Sequence, residues 1–252
     1  MGGGCRRRYR RPAGPGLSCY ASPIMKPSTL PGLSDRTTGL LGLVSVAVIL
    51  AGAVVAAIPY TGWSGESYSP LNHFVSELGE LAISRLAVLM DAGVVIGGVG
   101  LGFFLVLVAR RMTGRLAPAL AVAGIVAGLF GALVGLFPMD RLAVHRIVSG
   151  GFFLTCWLTA GTFAVWLARN PRAGFPRWLL APAVFSVAVD FVFVAVYSTY
   201  HPANPDAHIL SRPDIWIYPL LEWASLLSLF LWLACTAAVL AGRHSSASEA
   251  PG

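Results

Sequence analysis

The chain has 252 residues, of which 56% are hydrophobic and only 12% charged, about half the charged share of a soluble domain. With a mean hydropathy of +0.72, it has more apolar surface than a soluble fold of this length can hide, so lipid is the implied solvent. The net charge of +7 does not call for nucleic acid, because Arg6, Arg7, Arg8, Arg10 and Arg11 form one tract and most other arginines flank apolar runs.

In chain order, residues 1–37 read as a basic tail. Residues 1–24 are rich in Gly, Arg and Pro and are expected to be disordered. They suit contact with anionic lipid, or are a solvated tail, or translated sequence upstream of a start at Met25. The opening MGGGCR departs from the myristoylation pattern, since Arg6 stands where Ser or Thr is needed. The first apolar run lies too far from the start, and is too long, for a cleavable signal.

Six runs reach the roughly 20 apolar residues that a bilayer core requires. They are Gly39–Tyr60, Leu86–Ala109, Leu116–Phe137, Ile147–Ala168, Trp178–Tyr200 and Ile215–Ala241. Lipid satisfies no open backbone group, so all six should be helices. The expected fold is an all-α bundle of six transmembrane helices over residues 38–242, with a short tail at 243–252. Of the 18 Lys and Arg residues, all but Arg85, Arg141, Arg146 and Arg212 fall on one side of these spans. The positive-inside rule then gives a multi-pass cell-membrane protein with both termini cytoplasmic. Cys5 and Cys19 lie in the tail, Cys156 and Cys235 lie within spans, and no CxxC occurs, so no structural disulfide is expected.

Polar residues concentrate on the opposite, outer side. The first outer loop contains SYSPLNHFVSELGEL. Ser69-Pro70 is a helix-start signal, and Leu71, Phe74, Val75 and Leu78 follow at helical spacing. This predicts a short amphipathic helix on the outer membrane surface. His73, Glu77 and Glu80 lie off its apolar face. The helix either caps the bundle or sets His73, Ser76 and Glu77 in a site wall.

Three acids, Asp91, Asp190 and Glu222, fall inside spans, where an ionisable group is costly and is a functional candidate by default. Asp91 shares a face with Val95, Gly98 and Gly102, among small-residue ridges suited to close packing. Ser186, Asp190, Tyr197 and His201 form one stripe along span five, and Tyr218, Glu222 and Ser225 one face of span six. The expectation is an outward-open polar pocket walled by spans two, five and six, with Asp140, His145, His201 and His208 at its rim. The bland reading makes the acids hydrogen-bonded ties between helices. The histidines and acids are candidate metal ligands, although HPANPDAH has no familiar ligand spacing. No cofactor is expected, and a divalent metal at the outer face is left open.

The segments YSPLNHFVSELGEL, GLFPMD and AVHRIVSGGFF, in this order, resemble the domain-of-unknown-function 998 family of six-span membrane proteins. The matching positions are Ser76-Glu77-Leu78-Gly79, Gly135-Leu136-Phe137-Pro138-Met139-Asp140 and His145. The segment from Asp140 to His145 is shorter than in many relatives. The resemblance covers about residues 38–242 and implies a fold and topology but no activity. The site itself suggests a pocket for a membrane lipid or other hydrophobic small molecule. The alternative is an intramembrane enzyme in which Asp91, Asp190 and Glu222 act as acids on an isoprenoid, as a cyclase or isomerase, or serve with His145, His201 and His208 a lipid hydrolase, with or without a metal. A proton-coupled transporter ranks behind both.

Overall fold

A computed structural model describes residues 33–171, 174–199 and 212–243. The basic tail up to Gly32, His201, His208 and the end of the chain after Arg243 lie outside the described residues. Six helices are long and apolar enough to cross a membrane: α1 (Asp35–Ala57), α2 (Ala87–Ala109), α3 (Leu116–Leu136), α4 (Leu142–Arg169), α5 (Leu180–Tyr197) and α6 (Ile217–Ala241). The protein is an all-helical, multi-span membrane protein.

Local chemistry sets the helix starts. Ser34 caps α1 by accepting from the Thr37 amide at 3.1 Å, so α1 begins four residues before the apolar run does. Pro118, Pro182 and Pro219 each fall in the first turn of their helix, α3, α5 and α6, where an amide has no intrahelical acceptor to lose. Helix α4 begins at Leu142, five residues earlier than its apolar run, and takes His145 into its first turn.

Each helix packs on its sequence neighbours, and α6 closes on α1, giving an up-and-down ring. The glycines of α2 serve two neighbours. A Cβ built at Gly93 would lie 3.0 Å from the Val48 carbonyl oxygen of α1. One at Gly98 would lie 2.8 Å from the Ala132 nitrogen of α3. Helices α2 and α3 therefore meet backbone to backbone along Gly98, Gly102, Gly128 and Gly131, as small-residue ridges permit. Large apolar side chains such as Ile96, Phe103, Val122, Ile125 and Phe191 point outward and are exposed, as lipid-facing residues should be.

The two ends of the ring differ. At one end Asp35 receives Arg111 at 2.6 Å and Arg243 at 2.9 Å. Arg111 also donates to the Thr38 hydroxyl, and Arg243 to the Gly174 carbonyl. This clasp joins both ends of the chain's helical part to the α2–α3 and α4–α5 connections. Above it Phe163, Trp166, Phe175 and Trp232 stack edge to face or tilted and fill the interior. At the other end the three remaining connections gather, and the interior opens.

The α1–α2 connection does contain a short helix, but it is a five-residue 3-10 turn, Val75–Gly79, and starts later than Ser69-Pro70 suggests. Ser69 still organises a turn, accepting from the Leu71 amide at 3.3 Å. The segment does not lie on the surface. Val75, Leu78, His73 and Glu77 are all buried, because the polar side chains find partners inside the mouth of the ring.

Candidate functional site

Glu77 anchors the mouth. Its carboxylate accepts from the Phe74 amide at 2.9 Å, from the Tyr60 hydroxyl at 3.1 Å and from Arg212 at 2.8 Å. The side chains of Glu77 and Arg212 are 4% and 8% exposed, so both charges are removed from water and compensate each other. Burial opposes the Arg212 charge, but the Glu77 carboxylate outweighs it and holds the guanidinium above its usual range. Burial, then the Glu77 charge, pushes the Tyr60 phenol far up, which keeps it a donor. Arg212 also donates to the Asn72 carbonyl at 3.2 Å, and the Asn72 amide donates to the Pro213 carbonyl. The α1–α2 and α5–α6 connections are thus tied across the mouth.

Glu222 reaches the same turn from α6. Its carboxylate accepts from the Val75 amide at 2.8 Å, and Ser76 faces it with both amide and hydroxyl. This is anion capping of a helical N-terminus from a neighbouring helix. Asp140 does similar work from the α3–α4 connection, accepting from the Leu81 and Ala82 amides at 2.8 and 3.0 Å. His73 sits behind these groups, between Tyr60 and Tyr68, with Nε2 3.5 Å from Glu66.

Between α4, α5 and the α1–α2 connection lies a cavity of about 920 Å³. Of the residues singled out from sequence, Ser76, Glu77, Asp140, His145, Tyr197 and Glu222 line it. Phe74, Phe153, Phe193 and Trp216 give it apolar surface. Arg146 lines it too and faces the Tyr197 hydroxyl. Glu80, opposite, faces the Trp63 indole. Burial, then the charges of Glu77 and Asp140, pushes the Glu80 carboxyl up to about 7.

The walls differ from the expected spans two, five and six. Helix α4 takes the place of α2, and α6 contributes Glu222. Asp91 does not line the cavity. Its helix face is the packed one, with Gly135 of α3 against its backbone and Gly79 against its carboxylate. Asp190 does not line it either. It is 4% exposed and accepts from the Ser225 hydroxyl of α6 at 2.5 Å, an α5–α6 tie. The three intramembrane acids therefore do not share one cavity, because the stripe on α5 turns toward α6 at Asp190 and toward the cavity only at Tyr197. Among the described residues no group of three His, Cys, Asp or Glu could hold a metal ion. His201 and His208 fall outside them.

The family described as "Protein of unknown function (DUF998)" matches over residues 46–239. The chain belongs to the DUF998 family. No curated protein and no solved structure matches it. In this DUF998 protein the three sequence segments that carried the resemblance meet at the mouth. The Ser76 hydroxyl donates to the Met139 sulfur at 3.1 Å, and the His145 ring is bonded to the Phe137 carbonyl. Sequence reading passed over Tyr60, Arg146 and Arg212. The available signal was their side of the membrane: an arginine that breaks the basic bias of the loops has a local reason to be there.

Proposed function

We infer that this DUF998 protein holds a membrane lipid or another amphiphile in the cavity between α4, α5 and the α1–α2 connection. The observation that carries this reading is the cavity's division into a charged mouth and an apolar flank. Arg146, Glu80 and Glu77 mark the mouth, while Phe153, Leu154, Phe193 and Val194 lie deeper. Leu154 is nine residues beyond His145, roughly 13 Å along the helix axis. Leu154 and Val194 are 54% and 45% exposed, and a Cβ built at the exposed Gly150 would meet nothing within 4 Å. These features favour a side opening between α4 and α5 through which an acyl or isoprenoid tail reaches the bilayer. The Lys and Arg bias places both termini in the cytoplasm of a cell-membrane protein, so the mouth faces outward. No cofactor enters this reading.

The enzyme alternative, with Asp91, Asp190 and Glu222 as acids, has less support. Of the three, Glu222 alone lines the cavity, and its carboxylate is already engaged by the Val75 amide. The amphiphile reading is tested by lipid extraction and mass spectrometry of the purified protein beside Gly150→Phe, which fills the side opening from a position with free space. A co-purifying amphiphile present in the wild type and depleted in the variant is the expected result. Identical extracts from two equally stable proteins would refute it.

A further inference from the structure

His145 offers the cavity one uncommitted ring nitrogen. Its Nδ1 lies 2.8 Å from the Phe137 carbonyl oxygen. A carbonyl only accepts, so the ring proton sits on Nδ1, and in the neutral ring Nε2 is an acceptor. Phe137 is the C-cap of α3, so this bond also fixes the ring against the α3–α4 corner. The residue is 5% exposed and lines both the large cavity and a second one of about 70 Å³ that reaches inward toward Met90, Gly98 and Phe230. Nε2 has no hydrogen-bond partner among the described residues, and it is not one of the polar atoms sealed from the cavities.

The two cavities share a collar of lining residues, Ser76, His145, Ser149, Phe153 and Glu222. The other polar groups of the collar are engaged. Ser76 donates to the Met139 sulfur, Ser149 to the Arg146 carbonyl at 3.4 Å, and Glu222 accepts from the Val75 amide. His145 Nε2 is an acceptor with no hydrogen bond among the described residues, at the level where the charged mouth gives way to the apolar flank. A group placed there must donate. A neutral hydroxyl supplies that donor with no charge to desolvate.

Building on the amphiphile reading, we propose that the ligand is an alcohol-bearing amphiphile whose hydroxyl, at the junction of head and tail, donates to His145 Nε2. Its polar head lies toward Arg146 and its apolar part against Phe153 and Leu154. A diester lipid without a hydroxyl at that level leaves Nε2 unmatched. Lysolipids, diacylglycerols and long-chain alcohols share the required chemistry.

The test compares two fluorescent probes on the full chain in nanodiscs: a 1-acyl lysophospholipid with a free secondary hydroxyl, and its 2-O-methyl ether. The wild type should prefer the hydroxyl probe by about 3- to 10-fold, the range of one net hydrogen bond. His145→Asn keeps a donor for the Phe137 carbonyl but removes Nε2, and should lose the preference. His145→Gln sets an amide oxygen near the Nε2 position and should keep part of it. Equal affinity of the wild type for both probes, with both excluded by Gly150→Phe, would overturn the hydroxyl assignment and leave the amphiphile reading standing. Failure of both probes to bind at all would overturn both readings. Should His145→Asn fail to fold, the wild-type comparison decides alone.

Discussion

Replacing Gly98 by alanine sets helix propensity against packing. In the middle of a helix alanine is favoured over glycine by about 1 kcal/mol. At Gly98 the added methyl would stand 2.8 Å from the Ala132 nitrogen, 2.9 Å from the Gly131 carbonyl carbon and 3.2 Å from its Cα. All three are backbone atoms of α3, so no rotamer change relieves the contact and the two helices must separate by several tenths of an ångström. Overpacking of this kind costs about 1–3 kcal/mol. The matched control is Gly161→Ala in α4, where a built Cβ meets only the Val187 Cγ2, at 3.9 Å. That methyl keeps its propensity gain and meets ordinary van der Waals contact. The two variants should therefore differ by about 1–3 kcal/mol in stability, with Gly161→Ala the more stable. Reversible denaturation in mixed micelles, or melting in detergent, reads the difference. A Gly98→Ala protein as stable as Gly161→Ala would refute the backbone-to-backbone seam between α2 and α3.

Two further predictions concern the mouth and the α5–α6 tie. Glu80 is held protonated up to about pH 7 in the fold, against an ordinary value of 4.5. Between these values the folded state binds a proton that the unfolded chain has released, so stability falls as pH rises from about 4.5 to about 7 and levels off above. Melting temperatures measured across that window should flatten in Glu80→Gln, and an unchanged slope would sink the assignment. Asp190→Asn should lower the melting temperature by weakening the bond to Ser225, and Asp190→Asn with Ser225→Ala should cost less than the sum of the single changes. The extracted lipids should match the wild type, since Asp190 does not line the cavity; a changed extract would return Asp190 to the site.

The candidate site was legible in part. Ser76, Glu77, Asp140, His145, Tyr197 and Glu222 were all singled out from sequence and do line one cavity, because a polar residue near a membrane span has few bland explanations. Asp91 and Asp190 carried the same signal. A polar residue inside a span shows that it has a partner but not which one. For Asp190 the partner is Ser225 on the neighbouring helix. Arg212 was counted for topology alone, and its pairing with Glu77 spans 135 positions of sequence, beyond the reach of any local pattern.

The sequence by itself determined the solvent, the six spans and their helical form, because a bilayer admits no other backbone arrangement for apolar runs of that length. It also marked the glycine ridges, since close packing needs small residues at fixed helical spacing. The tertiary structure alone decided which way each helix is rotated and which neighbours it meets. That rotation turned Asp190 toward α6 and Asp91 toward Gly79. It drew the α1–α2 connection down into the mouth of the ring, where Glu77 and Glu222 hold it. In these spans most of the helix circumference is apolar, so periodicity gives little indication of facing. The choice falls to a few buried hydrogen bonds and ion pairs, whose partners come together only when the ring has closed.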